Sequence, residues 1–226
     1  MNNPKKIVLI GAGGFGREVA SIIEVLNSTE IKNGREPAYE LLGFLDDGDQ
    51  YHGGVMINDY PWLGNRNWII EHKEDAVCTC CIGNPHIKKK IQEELTKEGV
   101  VFETIIAYGG FGYIGPHTEI GPGCIFYGGV TIAVNCKIGA GVVMNQMVNI
   151  GHDCVIGDYT TIMPFTGISG YCKVGSEVNI GGHAFVVPGR KIGDSATVAA
   201  GSIVFTNVKA GTTVLGNPAK RMRELE

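Results

Sequence analysis

The strongest constraint on the fold is a six-residue repeat in the second half of the chain. From Ile114 to Leu215 the sequence divides into seventeen hexads without an insertion. The first position is Ile, Val, Met or Phe in sixteen hexads, the exception being Ala210, and the fifth position is Thr, Cys, Val, Ala or Ser in sixteen. A period of six fits neither a helix nor a simple strand. It predicts a solenoid in which each hexad forms one side of a triangular coil.

This register gives each hexad position a predicted place. Positions one and five point inward, and three hexads form a coil that stacks on the next through parallel strands about 4.8 Å apart. Glycine is frequent at position two, where we expect it to relieve the bending backbone by adopting positive φ. Four of the seven cysteines stand at position five and are therefore predicted as small core residues: Cys124, Cys136, Cys154 and Cys172. Arg190 breaks the rule for position five. Either that corner opens outward, or the guanidinium serves a ligand or a neighbour.

The first 107 residues predict a different architecture, an α/β domain. The stretch IVLIGAGGFGREVA, residues 7–20, leads from a β-branched run through Gly11, Gly13 and Gly16, at GxGxxG spacing, into a helix. The predicted strands lie at 6–10, 40–46, 76–82 and 100–106, and the predicted helices at about 15–27 and 86–98, with YPWLG in a loop. Alternating strands and helices indicate a small parallel sheet. The expected domains are 1–107 and 108–226.

The glycine-rich turn is open to more than one interpretation. It places N–H groups at a helix N-terminus, where phosphate oxygens bind readily. Asp46 and Asp47 follow the second strand and could accept hydrogen bonds from a ribose hydroxyl or a base. Only about half of a dinucleotide fold fits before the repeat. A mononucleotide or nucleotide-sugar site is therefore favoured over a dehydrogenase and over a turn with only a structural task.

Composition and spacing exclude several classes of function. The net charge of −4 argues against a nucleic-acid binder. The apolar runs are too short for a membrane span or a signal peptide, so a cytoplasmic protein is expected. Cys78, Cys80 and Cys81 lack both the CxxC-like spacing and the second cluster of a zinc site, so they predict a buried strand, and no metal is expected. Three consecutive lysines, residues 88–90, predict a solvated helix face.

His152 is the histidine best placed for chemistry. It stands at position three of IGHDCV, next to Asp153, near the middle of the repeat. An imidazole with a pKa near 6.5 can accept a proton at neutral pH. The residues alone leave open a general base and a plain corner histidine.

The order of motifs resembles one bacterial family. A glycine-rich start, FLDD, IGN at 82–84, the hexads, IGHDCVIGD and GNPAKRM occur in this order in the hexapeptide-repeat sugar O-/N-acyltransferases. These include nucleotide-aminosugar N-acetyltransferases and sialic acid O-acetyltransferases. The resemblance covers nearly the whole chain. It implies a half-Rossmann-like α/β domain followed by a left-handed parallel β-helix, a homotrimer, and acetyl-CoA as co-substrate.

The resemblance also implies roles for individual residues. His152 is the expected general base, and Asp153 orients its imidazole. Backbone N–H groups along the coils hold acetyl-CoA between adjacent subunits, and Gly170 is our candidate donor to the oxyanion. Thr161 stands where some members have a second histidine near the thioester, and its hydroxyl can hydrogen-bond but cannot carry the same charge.

The remaining expectations concern the two co-substrates. The residues expected at the acetyl-CoA site are Thr161, Gly170, Gly182 and Ala200. The residues expected to contact the nucleotide sugar are Ala12, Gly13, Gly14, Asp46, Asp47 and Gly83. Lys220 and Arg221 could meet the phosphates of CoA or form a solvated tail. The expected reaction is transfer of acetyl to the amino group of a nucleotide-linked amino sugar. Sugar O-acetylation is the alternative, and a trimeric scaffold with a nucleotide-sensing head is the non-catalytic one.

Overall fold

The computed structural model describes residues 3–107 and 112–222. The chain divides into two compact units, and each is described by itself. One comprises Met1–Gly83 and Lys90–Ala107, and the other comprises Asn84–Lys89 and Tyr108–Glu226. No helix within the described residues is both long and apolar enough to span a membrane.

The first unit is built around a five-stranded sheet. The elements of residues 3–107, in chain order, are β1 (Lys5–Ile10), α1 (Gly14–Lys32), β2 (Tyr39–Leu45), β3 (Met56–Ile57), β4 (Tyr60–Gly64), α2 (Asn67–Glu71), β5 (Val77–Cys80), α3 (Pro85–Lys97) and β6 (Ile105–Ile106). The sheet order is β3-β4-β2-β1-β5, in which β3 alone is antiparallel to its neighbour. The β-branched run of β1 is fully buried at Ile7 and Val8, and Cys78 and Cys80 of β5 are buried as predicted. This is the expected α/β domain.

The stretch YPWLG was predicted as a loop, and this was wrong. It forms β4, which pairs in parallel with β2 and antiparallel with β3. Pro61 and Gly64 favour a turn in the local sequence. The edge of β2 nevertheless offers an unpaired row of backbone groups, and the indole N–H of Trp62 donates to the carbonyl of Asp46 at 3.1 Å, which fixes the segment there.

The second unit is the predicted parallel β-helix of the left-handed hexapeptide class. Sixteen two-residue strands recur every six residues: β7 (Tyr113–Ile114), β8 (Glu119–Ile120), β9 (Ile125–Phe126), β10 (Thr131–Ile132), β11 (Lys137–Ile138), β12 (Val143–Met144), β13 (Asn149–Ile150), β14 (Val155–Ile156), β15 (Thr161–Ile162), β16 (Gly167–Ile168), β17 (Lys173–Val174), β18 (Asn179–Ile180), β19 (Phe185–Val186), β20 (Lys191–Ile192), β21 (Thr197–Val198) and β22 (Ile203–Val204). They are followed by β23 (Thr213–Leu215) and β24 (Lys220–Arg221).

Every third strand stacks in the same sheet, so a coil contains three hexads, as predicted. One sheet runs β7-β10-β13-β16-β19-β22 and a second runs β8-β11-β14-β17-β20. The third includes β9-β12-β15-β18-β21-β23, with β24 antiparallel to β23. Partners are eighteen residues apart, as in Ile132 with Ile150. First-position side chains from Phe126 to Val204 are at most 4% exposed, so they fill the interior.

Position five stabilises the stack as well as filling it. Cys136 and Cys154 donate from Sγ to the carbonyls fifteen residues ahead, on the next coil, at 3.2 Å. Thr160 does the same at 2.8 Å. Arg190 follows this pattern, because its Nη1 donates to the carbonyl of Phe205 at 3.4 Å and its Nε to that of Pro188 at 3.1 Å. Its guanidinium therefore serves the backbone of its own coil and of the next one.

The expectation that position-two glycines need positive φ was wrong. Positive φ occurs at position four instead, as in Asp153 (58°) and Tyr171 (60°). Position two favours glycine because the next coil passes too close for a side chain. A Cβ on Gly121 would lie 2.6 Å from the backbone nitrogen of Ala140.

The hexad register also ends earlier than predicted. Ala210 was expected inside the last coil, but it is exposed, and Val208 is buried there instead, paired with Ile192. Thr197 and Thr213 are partners only sixteen residues apart, so this coil is two residues shorter. Val buries more apolar surface than Ala, which favours the shorter register.

Candidate active site

The candidate base lies on one corner of the β-helix, between β13 and β14. We call it the His152 corner, comprising the stacked turns 133–136, 151–154, 169–172 and 187–190. His152 donates from Nδ1 to Oδ2 of Asp153 at 2.8 Å. The other oxygen of Asp153 accepts from Nδ2 of Asn135 at 3.2 Å, one coil below. The carboxylate is therefore held from two sides and the imidazole from one.

The charge of Asp153 fixes the tautomer of His152. The hydrogen bond from His152 is the main cause that lowers the pKa of Asp153, and the Asn135 amide adds to it. An ionised carboxylate can only accept, so Nδ1 carries the proton and Nε2 presents its lone pair. A histidine base oriented by an adjacent carboxylate is a recurrent arrangement in proton transfer.

Gly170 lies one coil above His152, and its lack of a side chain leaves room for the imidazole ring. A Cβ on Gly170 would lie 2.7 Å from Nε2 and 2.8 Å from Cε1 of His152. These distances are far below van der Waals contact, so the imidazole occupies the space that any other side chain needs. The sequence-predicted trio of His152, Asp153 and Gly170 is thus brought together by the stacking of two turns.

Backbone N–H groups at position three differ between corners. On the corner between β14 and β15, Oδ1 of Asp158 accepts from the N–H of Ala140 at 2.8 Å, and Asp194 does the same for Ser176. The residue stacked above Gly170 is Pro188, which has no acceptor in its side chain. Within residues 3–107 and 112–222 the N–H of Gly170 has no protein acceptor. It is available to a ligand.

The other predicted donor residues lie elsewhere in one chain. Gly182 and Ala200 are stacked eighteen residues apart on the corner that follows β18 and β21. In the described part of the chain their N–H groups also lack protein acceptors. Within a single chain these two residues do not join the His152 corner, so the expected acetyl-CoA residues fall on separate edges of the β-helix.

Thr161 is tied to a lysine that sequence reasoning placed in solvent. Lys88 is fully buried, and its Nζ donates to Oγ1 of Thr161 at 3.0 Å. The prediction of a solvated face over residues 88–90 was therefore wrong for Lys88. Residues 84–89 group with the β-helix, where Lys89 pairs with Glu177 at 2.8 Å and His86 with the same carboxylate at 2.7 Å. Three lysines in a row carry no local signal that separates the buried one.

The glycine-rich turn combines close packing with open space. A Cβ on Gly16 would collide with the carbonyl of Gly11, and Gly11 has a φ of +104°. By contrast, a Cβ on Gly13, Gly14 or Gly83 would meet nothing within 4 Å. Helix α1 begins at Gly14 without a side-chain cap. The N-terminus of α1 is therefore sterically open to an anion.

The two aspartates of FLDD make internal bonds. Asp46 accepts from the N–H of Ala12 at 2.8 Å and from that of Gly48 at 2.9 Å. Asp47 accepts from the N–H of Arg66 at 3.0 Å and pairs with its guanidinium at 3.2 Å. Asp46 thus ties the glycine-rich turn to the following loop, a task that the sequence did not reveal.

The end of the β-helix forms a cleft of about 370 Å³ that includes Lys209, Lys220 and Arg221 among its lining residues. It is the place in the structure of the two basic residues of GNPAKRM. Among the described residues, no group of three or more His, Cys, Asp and Glu side chains is arranged to hold a metal ion.

Two family models match this chain. Residues 6–95 match the PglD N-terminal domain. Residues 112–146 and 153–188 match the bacterial transferase hexapeptide (six repeats).

Solved structures match over almost the full length. The acetyltransferase domain of PglB from Neisseria gonorrhoeae FA1090 is 26% identical, with a TM-score of 0.81 over 96% of this chain and 100% of that one, and it is also known in complex with acetyl coenzyme A. WeeI from Acinetobacter baumannii AYE is 29% identical, with a TM-score of 0.81 over 96% and 100%. PerB from Caulobacter crescentus, in complex with CoA and GDP-perosamine, shares the fold at 22% identity, with a TM-score of 0.81 over 96% and 97%.

Proposed function

We propose that this chain is an acetyl-CoA-dependent N-acetyltransferase for a nucleotide-linked amino sugar. It belongs to the bacterial sugar acyltransferases that are built from a PglD N-terminal domain and hexapeptide repeats. The observation that carries the proposal is the His152 corner, where an oriented imidazole lies against an available N–H. The likeness to the PglB domain, whose structure holds acetyl coenzyme A, supports the choice of donor.

The proposed chemistry is direct transfer. The amine nitrogen attacks the thioester carbonyl carbon, and Nε2 of His152 takes the proton that the nitrogen loses. Asp153 stabilises the imidazolium and holds its orientation through Nδ1. The N–H of Gly170 donates to the oxyanion of the tetrahedral intermediate. The C–S bond then breaks, and the CoA sulfur leaves with the proton from the imidazolium.

The thiols are unsuited to a covalent acetyl-enzyme. All seven cysteines are buried. Burial raises the pKa of Cys124 to about 12, which disfavours its nucleophilic thiolate. Direct transfer needs no such nucleophile.

The proposed donor site needs more than one copy of the chain. Gly170 lies on a different corner from Gly182 and Ala200, so we place acetyl-CoA across a subunit boundary, where corners of two copies face the same groove. Exposed apolar side chains follow the corner of Gly182 and the neighbouring sheet: Met147 48%, Met163 38%, Phe165 54% and Phe185 44%. Such a patch is typical of a subunit interface. We assign it to a homotrimer, and light scattering of the purified protein tests the mass.

The proposed acceptor site is the open N-terminus of α1. Gly13, Gly14 and Gly83 leave room for a diphosphate. Ala12 and Asp46 act there as a brace, because their mutual hydrogen bond fixes the turn. Asp47 follows Asp46 directly and pairs with Arg66. The reaction is placed in the cytoplasm, where acetyl-CoA and nucleotide sugars are available.

The test is an acetyl-transfer assay with a defined acceptor panel. Purified protein is incubated with acetyl-CoA and UDP-, GDP- or dTDP-4-amino sugars, and free thiol is measured together with the product mass. His152→Ala should lower the rate about 10²–10⁴-fold. His117→Ala is the matched control, because His117 is an exposed histidine at position four of its hexad, two coils away from His152. Undiminished thiol release in His152→Ala would exclude this base, and an ester product would identify O-acetylation.

A further inference from the structure

Tyr171 borders the His152 imidazole. The ring centroids of Tyr171 and His152 lie 4.9 Å apart, with the planes at 89°. The N–H of Tyr171 donates to the carbonyl of His152 at 2.9 Å. Tyr171 is 62% exposed, one of the most exposed large side chains of the described residues. A large aromatic surface therefore lies edge-to-face with the candidate base and is open to solvent.

Among the position-four residues of the His152 corner Tyr171 is the only large aromatic one, whereas Tyr159 and Phe165 hold the same position with positive φ on other corners. Position four of each turn on the His152 corner has positive φ, and the residues stacked with Tyr171 there are Asn135, Asp153 and Gly189. These are the residue types that tolerate the left-handed conformation best. A bulky aromatic residue is disfavoured there. Tyr171 therefore places a bulky aromatic side chain on the corner that carries the candidate base.

The chemistry of the exposed face points to a sugar. A hexose ring has one face rich in C–H groups, which stack on an aromatic ring, while its hydroxyls remain solvated or hydrogen-bonded. Binding sites for small molecules commonly combine such an aromatic wall with a few polar groups. We propose that Tyr171 is the wall that holds the acceptor sugar ring next to Nε2 of His152, a role that rests on the proposed acetyl transfer. Tyr171 is therefore a specificity-determining residue.

The experiment compares three variants with the wild type, using acetyl-CoA and the best acceptor of the panel. Tyr171→Asn removes the ring and keeps a residue that accepts positive φ, and Tyr171→Phe keeps the ring. Tyr159→Asn is the matched control, because Tyr159 has the same hexad position and a φ of 58° on another corner. We expect the KM for the acceptor to rise roughly 5- to 10-fold in Tyr171→Asn, with kcat within about twofold. The other two variants should stay near the wild type.

Several outcomes would overturn the inference. A fall in kcat with an altered pH profile and an unchanged KM would mean that Tyr171 only supports the imidazole. A change in oligomeric mass in Tyr171→Asn would assign the ring to subunit packing.

Binding of the nucleotide sugar is also measured by calorimetry in the His152→Ala background, where transfer does not interfere. If the wild type transfers no acetyl group, the proposed function fails, and binding that still depends on Tyr171 would support the wall. An affinity for the nucleotide sugar that Tyr171→Asn leaves unchanged, or no binding at all, would overturn the proposed role of Tyr171.

Discussion

Gly170→Ala tests whether the space above the imidazole matters for catalysis. The substitution keeps the N–H that we assign to the oxyanion and adds one methyl group. That methyl carbon would lie 2.7 Å from Nε2 of His152, whereas ordinary contact begins at 3.4 Å. The ring must therefore move by about 0.7 Å. The displaced atoms belong to a side chain that is 51% exposed, so the ring can move without unfolding the turn.

The expected effect falls on the rate rather than on stability. A misplacement of about 1 Å can lower a rate about 10²-fold, so we expect kcat/KM to fall roughly 10- to 100-fold. This range corresponds to about 1.4–2.7 kcal/mol of transition-state stabilisation. The midpoint of thermal unfolding should change little, since replacing a glycine without positive φ by alanine lowers the conformational entropy of the unfolded chain, which favours the folded state.

Two glycine variants serve as controls for this measurement. Gly128→Ala has the same hexad position and no atom within 4 Å of the new Cβ, so both activity and stability should be preserved. Gly151→Ala would press on the backbone of residues 169 and 170, and its cost of about 1–3 kcal/mol should appear in thermal unfolding. Wild-type kcat/KM in Gly170→Ala would refute the reasoning, because the imidazole would then not need its observed place.

Three further predictions address the core, the charges and the thiols. Ile156→Ala should lower the free energy of unfolding by about 2–5 kcal/mol, while Val155→Ala on the outer face changes it by less than about 0.5 kcal/mol, as measured by urea unfolding. Lys89 and His86 lower the pKa of Glu177 in the folded state. Its stabilising contribution is therefore present above the pKa of the unfolded state and is lost as the pH falls through the pKa of the folded state. Glu177→Gln should reduce the loss of unfolding free energy at acid pH, and an unchanged acid dependence would contradict this. The native protein should react with a thiol reagent at pH 8 only after denaturation, because all seven thiols are buried and closed to the reagent. Rapid labelling of the folded protein would contradict this.

Local spacing was sufficient for the features that repeat. Each hexad meets the same surroundings as the hexads three before and three after it, so the period alone predicts the coil, the inward first position and the buried cysteines. His152 and Asp153 are neighbours in sequence, and their pairing needed no distant information. The strand–turn–helix start was readable for the same reason, because a single local signal of glycines after an apolar run marks it.

Partner choice between distant segments was decided only by the tertiary structure. Lys88 is buried against Thr161, seventy-three residues away, and nothing distinguishes it locally from Lys89. Asp46 is engaged by Ala12 because two loops meet, and YPWLG becomes a strand because β2 has an edge for it. The sequence encodes which residues have the same surroundings in successive coils. The partner of each hydrogen-bonding group depends on which distant segments the fold brings together. Because an unpaired buried polar group costs much free energy, the folded structure pairs these groups.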